Sequence, residues 1–133
     1  MEGYCSLIIK GDELEFDEIE KNLGLEASKK FQKGKINSNI IGKIEFDLIR
    51  FDERLIENQT LNETLKHLLK KIMEREQFIK LMHKKYDIVL NCYIQSDYAQ
   101  MRFEISPDVL AKICQLGIKL EFSILSWGGV DKD

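Results

Sequence analysis

The residues best suited to chemistry lie on two consecutive alternating segments, Asp87–Ile94 and Tyr98–Ile105, separated by the turn-forming residues 95–97. Alternation of apolar and polar residues on both sides of a short turn predicts a β-hairpin with one core face and one exposed face. The exposed face would carry tyrosine, asparagine and arginine side chains: Asn91, Tyr93, Tyr98 and Arg102. Because tyrosine and arginine often dominate binding energy in interfaces, we predict a binding surface here. An ordinary exposed sheet face is the alternative.

A second candidate is a basic segment around Phe31. Residues 28–43 hold five lysines and no acidic residue, and Lys29 and Lys33 flank the ring in sequence. Lysines around an aromatic ring can hold single-stranded nucleic acid. The chain has a net charge of −3 and no RRM or KH signature, so nucleic-acid binding is not favoured. A solvated sheet edge and a dock for an acidic protein remain open.

The sequence contains no arrangement of metal ligands. If the two histidines, His67 and His83, share one helix, they lie about 160° apart around its axis. The three cysteines, Cys5, Cys92 and Cys114, form no C-x-x-C pair and are expected to be small buried residues. We therefore predict no metal site and no cofactor.

Catalytic motifs are also missing. The sequence has neither a phosphate-binding glycine-rich loop nor a nucleophile elbow. We therefore predict no catalytic residue. The alternative is an enzyme whose site is assembled from scattered residues such as Tyr93, Arg102, Glu104 and His83, in a deep polar pocket.

The rest of the chain supplies elements that would position these residues. Apolar periodicity and capping signals predict these elements. A strand at Cys5–Ile9 comes first, followed by a helix from Phe16 to Leu23 that ends at Gly24 and by a strand with Ile44, Phe46 and Leu48 facing the core and a bulge near Ile49. A helix from the Thr60 cap to Lys85, with a break near Glu76, comes next; a Pro107 helix capped by Ser106 and ending at Gly117 and a strand at Ile118–Leu125, with Phe122 facing the core, complete the chain.

This order predicts the fold class α+β. We expect two layers, a mainly antiparallel sheet with helices packed on one face, in a ferredoxin-like arrangement. The 133 residues, 44% of them apolar, suit a single domain over residues 1–133 with a frayed tail from about residue 128. No apolar run approaches the roughly 20 residues needed to span a bilayer, and the start of the chain has no secretory signal, so we expect a cytoplasmic protein.

Several short motifs resemble those of one family. They are Leu7-Ile8-Ile9, Leu23-Gly24-Leu25, Lys33-Gly34-Lys35, the leucine-rich helix Leu61–Ile72, Ser106-Pro107 and Leu116-Gly117-Ile118. Together they resemble the bacterial domains catalogued as domain of unknown function 4279. Ala27-Ser28 stands where that family tends to have Pro-Thr, and Phe46 lies where it often has tryptophan. The resemblance implies a bacterial source and a compact α+β domain, and it implies no reaction.

We therefore expect a small non-catalytic bacterial binding or interaction domain, for which an immunity-like or accessory role is compatible. A protein partner is favoured, and no membrane association is expected. The alternatives are the assembled enzyme site, nucleic-acid binding through Lys29–Lys35, and a homodimer joined through an exposed edge strand. The sequence leaves the oligomeric state open.

Overall fold

The computed structural model describes residues 2–34, 45–96 and 101–126. Nine helices and strands follow one another within these ranges: β1 (Glu2–Gly11), α1 (Phe16–Leu23), β2 (Lys29–Phe31), β3 (Asp47–Arg54), α2 (Leu61–Met73), α3 (Glu76–His83), β4 (Asp87–Ser96), α4 (Pro107–Leu116) and β5 (Lys119–Ser126). The predicted tail and Tyr98 lie outside the described residues.

The strands form one sheet in the order β2-β3-β1-β4-β5. The first three neighbouring pairs are antiparallel, and β5 joins β4 in parallel. The order β2-β3-β1-β4, with helices between β1 and β2 and between β3 and β4, is the ferredoxin-like arrangement. Helix α4 and strand β5 extend it by one βαβ unit. The predicted α+β class and the mainly antiparallel sheet are confirmed.

The core lies between the sheet and the helices, which pack on one sheet face. Every second residue of β1, namely Cys5, Leu7 and Ile9, is fully buried and points toward that core. Leu65 and Leu69 of α2 are equally buried. Burial of these apolar side chains is the main force that holds the two layers together.

Three of the predicted helix ends are confirmed, and the helix predicted to reach Lys85 ends at His83. The Thr60 hydroxyl accepts a hydrogen bond from the Glu63 N–H in a capping box, and Gly24 and Gly117 end α1 and α4 with φ of 70° and 72°. The expected break near Glu76 separates α2 from α3. Ser106 precedes α4 as predicted, but its hydroxyl bonds Asn62 instead of capping the helix.

The predicted hairpin is wrong. Both edges of β4 are already paired, one with β1 and the other with β5, so no edge remains for a strand formed by the residues that follow it. Residues 101–105 are not a strand. Met101, Phe103 and Ile105 pack instead against the core cluster.

The predicted phase of the third strand is also wrong. Ile49 and Phe51 face the core, Phe46 is 40% exposed, and the pairing with β1 runs without a bulge from Asp47 to Arg54. The buried carboxylate of Asp47 explains this phase, since it accepts hydrogen bonds from the backbone N–H groups of Leu14 and Lys33. Buried charge needs such partners.

Two further residues depart from their predicted burial. Cys114, expected to be buried, is exposed. Phe122, expected to face the core, is 38% exposed, because β5 lies at the edge of the sheet.

Candidate binding surface on the open sheet face

The sheet face opposite the described helices carries a cluster of aromatic and polar side chains. It consists of alternate residues from the three central strands, and we call it the open face cluster: Tyr4, Ser6, Arg50, Asp52, Asn91 and Tyr93. Strand register alone brings them together, because Ser6 lies opposite both Asp52 and Asn91, while Tyr4 lies opposite Tyr93. Three segments far apart in sequence therefore build one surface.

Two stacked tyrosines form the aromatic part of this cluster. The rings of Tyr4 and Tyr93 have centroids 5.3 Å apart and an angle of 27° between their planes. The Arg50 guanidinium lies over the Tyr4 ring, 5.0 Å from the centroid of that ring. Stacked aromatic pairs and cation–π contacts each contribute about 0.5–1.5 kcal/mol. The result is a rigid platform of large side chains.

Close backbone approach supports the tyrosine pair. Gly3 has φ of 151°, and a Cβ at this position would collide with the Tyr93 carbonyl on β4. Glycine permits both the positive φ and the approach. Gly3 therefore helps to hold Tyr4 and Tyr93 in register.

The polar part of the cluster is internally paired. Arg50 donates two hydrogen bonds to the Asp52 carboxylate, at 2.8 and 3.2 Å, and the buried Ser6 hydroxyl donates to the same carboxylate. Asp52 is thus engaged both by the Arg50 guanidinium and by the Ser6 hydroxyl. Bidentate pairing holds the guanidinium in one orientation.

Asn91 links the cluster to β5. It is 7% exposed, and its Nδ2 donates to Glu121 at 2.6 Å and to the Ser123 hydroxyl at 3.1 Å. The Tyr93 hydroxyl donates to the Gln95 side chain at 3.3 Å. These contacts fix the side chains in place, which lowers the entropy lost when a partner binds.

The lysines of the basic segment around Phe31 lie in different surroundings in the structure. Lys29 lies opposite Arg50 on the open face side, next to the open face cluster. Lys30 pairs with Glu20 at 2.6 Å, and Lys33 pairs with Asp12 at 3.4 Å, on other sides of the segment. The pKa of the Glu20 carboxyl is lowered, first by the hydrogen bond from the Ala27 N–H and then by Lys30, whose own pKa is raised by Glu20. Lys35 lies outside the described residues.

Arg102 does not lie beside Tyr93. Its exposed guanidinium pairs with Glu104 at 3.2 Å, and both residues line a cleft of about 690 Å³ against Gln59–Asn62 at the start of α2. Of the predicted binding residues, Asn91 and Tyr93 lie together on β4 within the cluster, whereas Lys29 lies on β2, three strands away, beside Arg50. The structure places Lys33 and Arg102 elsewhere, and Tyr98 is outside the described residues.

The sequence interpretation missed four members of the cluster: Tyr4, Ser6, Arg50 and Asp52. A signal for two of them was present, because Cys5, Leu7 and Ile9 face the core and so place Tyr4 and Ser6 on the opposite face. No local signal shows which strands would be neighbours.

The scattered residues of the enzyme alternative are not assembled. Tyr93 lies on the open face, Arg102 and Glu104 line the cleft near α2, and His83 ends α3 in the helical layer. His67 contacts Gln59 at 3.0 Å. Within residues 2–34, 45–96 and 101–126, no three His, Cys, Asp or Glu side chains are grouped so as to hold a metal ion. None of the helices described is long and apolar enough to cross a membrane.

Fold and surface together define a small α+β domain with a ferredoxin-like sheet, one helical layer and a polar-aromatic cluster on the open face. The chain belongs to the family described as Domain of unknown function (DUF4279), whose model matches residues 1–127. No curated protein and no solved structure matches it significantly.

Proposed function

We propose that this protein is a small non-catalytic domain that binds another protein through the open face cluster. The observation that carries the proposal is the stacked Tyr4–Tyr93 pair with the Arg50 guanidinium over the Tyr4 ring. Aromatic residues and arginine are the side chains most enriched at interface centres.

The mixed character of the cluster favours a protein as the partner. Arg50 is paired with Asp52, and Asn91 is paired with Glu121, so the cluster offers hydrogen-bonding groups of both signs around apolar rings. Protein surfaces complement such a pattern. A nucleic acid would require unpaired cations along its backbone, whereas Lys30 and Lys33 are held by acidic residues. An intracellular accessory or immunity-like role is compatible with this proposal.

Quantitative co-purification from the source cell tests the proposal. The tagged protein would be compared with Tyr93→Ala and with Leu81→Ala, a matched control on α3 whose apolar side chain is 62% exposed. Loss of a central aromatic contact costs about 2 kcal/mol or more, so we expect one protein to be recovered about 30-fold less with Tyr93→Ala. Recovery with Leu81→Ala should equal that of the wild type.

Nuclease treatment before elution distinguishes a protein that binds directly from one that is recovered through nucleic acid. Recovery of the protein partner should survive the treatment. The proposal is wrong if the same proteins are recovered in equal amounts with the wild type and both variants, or if recovery depends on nucleic acid. A thermal melt of each variant shows that the differences arise from binding and not from unfolding.

A further inference from the structure

The two edges of the sheet are built differently. Strand β2 has only three residues, of which Lys29 and Lys30 are charged. Short, lysine-bearing edges discourage pairing with another strand. Strand β5 has eight residues, pairs with β4 alone among the described strands, and exposes 38% of Phe122, 51% of Ile124 and 49% of Leu125. A long apolar edge of this kind is a template for a further strand.

We propose that two copies of this chain form a homodimer by pairing their β5 strands antiparallel, with Phe122 on the two-fold axis. The dimer would be one continuous sheet of ten described strands. The inference concerns a different part of the sheet from the open face cluster and does not rest on the proposed function.

Charge and polarity select the register. An axis at Glu121 would set two glutamates directly opposite each other, which is destabilising. An axis at Leu120 would leave most of β5 unpaired, and an axis at Ser123 would set Glu121 opposite the apolar Leu125.

An axis at Phe122 avoids these conflicts. It sets Leu120 opposite Ile124 of the second copy and Glu121 opposite the Ser123 hydroxyl. It also sets Lys119 opposite Leu125, whose side chain the aliphatic part of the lysine can cover. Apolar residues then meet apolar residues on the helical side of the sheet, and a carboxylate meets a hydroxyl donor on the open side.

An aromatic cluster would close the centre of this interface. Phe122 already stacks on Phe103, with ring centroids 5.3 Å apart. Residues directly opposite in an antiparallel pair have Cβ atoms about 4.5–5.5 Å apart. The two Phe122 rings would therefore adjoin, forming a group of four rings and covering the exposed part of each Phe122.

The dimer would also arrange the open faces. A two-fold axis perpendicular to the sheet leaves both open face clusters on the same side. Tyr93 of the two copies would be separated by three strand spacings, or about 15 Å. A symmetric partner could then contact both copies at once.

Sedimentation over a concentration series tests the association. We expect the wild type to convert from monomer to dimer as concentration rises, and Ile124→Lys to weaken the dimer at least about tenfold, because it places a charge against Leu120 of the second copy. Leu81→Lys, which changes an exposed apolar residue on α3, should dimerise as the wild type does. A wild type that stays monomeric over the whole series, or an Ile124→Lys dimer of unchanged strength, would overturn the proposal.

Cysteine crosslinking tests the register even if Ile124→Lys alters folding. In a Cys114→Ser background, only the buried Cys5 and Cys92 remain as natural thiols. Phe122→Cys would lie opposite its own copy at a separation suited to a disulfide, whereas Ile124→Cys would lie four residues out of step with its copy. Mild oxidation should crosslink Phe122→Cys far faster than Ile124→Cys. Equal rates, or no crosslink with either, would contradict the proposed axis.

Discussion

Truncation of Ile113 tests the orientation of α4, the helix that links the ferredoxin-like part of the sheet to β5. Ile113 is 5% exposed and belongs to the common core cluster, between Val109 and Leu116 on the buried side of α4. Ile113→Ala removes three buried carbon groups, which at about 0.8 kcal/mol each gives about 2.4 kcal/mol. The residual cavity adds to this loss, and the better helix propensity of alanine returns up to about 0.5 kcal/mol. We expect a loss of about 3 kcal/mol.

Leu110 provides the matched control on the same helix. It also loses three carbon groups on mutation to alanine, but it is 43% exposed, so the same calculation gives about 1.4 kcal/mol. Urea unfolding of both variants at equal protein concentration measures the free energy of unfolding and the m-value. A difference of less than about 0.5 kcal/mol between the two variants would refute the assigned orientation of α4.

Two other perturbations probe the support of the open face cluster and the basic segment around Phe31. Gly3→Ala should destabilise the fold by about 1–3 kcal/mol in urea unfolding, because the residue has a positive φ and the added Cβ would meet the Tyr93 carbonyl. Gly34→Ala is the control, because no atom of the described residues beyond its chain neighbours lies within 4 Å of the added Cβ. It should reduce the free energy of unfolding by only about 1 kcal/mol, owing to its φ of 82°. Equal losses would show that no close approach exists at Gly3. Glu20 has a lowered pKa, so its carboxylate contributes stability above its usual pKa, and that contribution is lost as pH falls through the folded-state pKa. Glu20→Gln should therefore melt below the wild type at pH 7, with the gap closing below about pH 4; a gap that is constant with pH would refute the assigned role of the carboxylate.

Local signals predicted much of the fold. The capping box at Thr60 and the glycines at positions 24 and 117 give the helix ends, because capping depends on residues a few positions apart. The alternation of Cys5, Leu7 and Ile9 likewise gives the buried face of β1. These features depend on sequence neighbours, so they can be deduced without knowledge of the topology.

Strand partners could not be deduced in this way. The alternation after β4 was interpreted as a hairpin, but β1 and β5 occupy both edges of β4. That choice depends on the free energy of the whole sheet and on contacts far apart in sequence. The same limit explains the candidate site: Tyr93 and Asn91 were found from their own strand, whereas Tyr4 and Arg50 join them only through the order β3-β1-β4.

Site-specific photocrosslinking in the source cell tests the central claim, contact through the open face cluster, most directly. Benzoylphenylalanine would replace Tyr93 in one variant and Leu81 on α3 in another, so that the same probe samples the two faces of the domain. We expect light to generate an adduct with one protein from position 93, Arg50→Ala to reduce the yield of this adduct, and position 81 to give none. An adduct from position 81 alone, equal yields from both positions, or no adduct from position 93 would contradict the central claim.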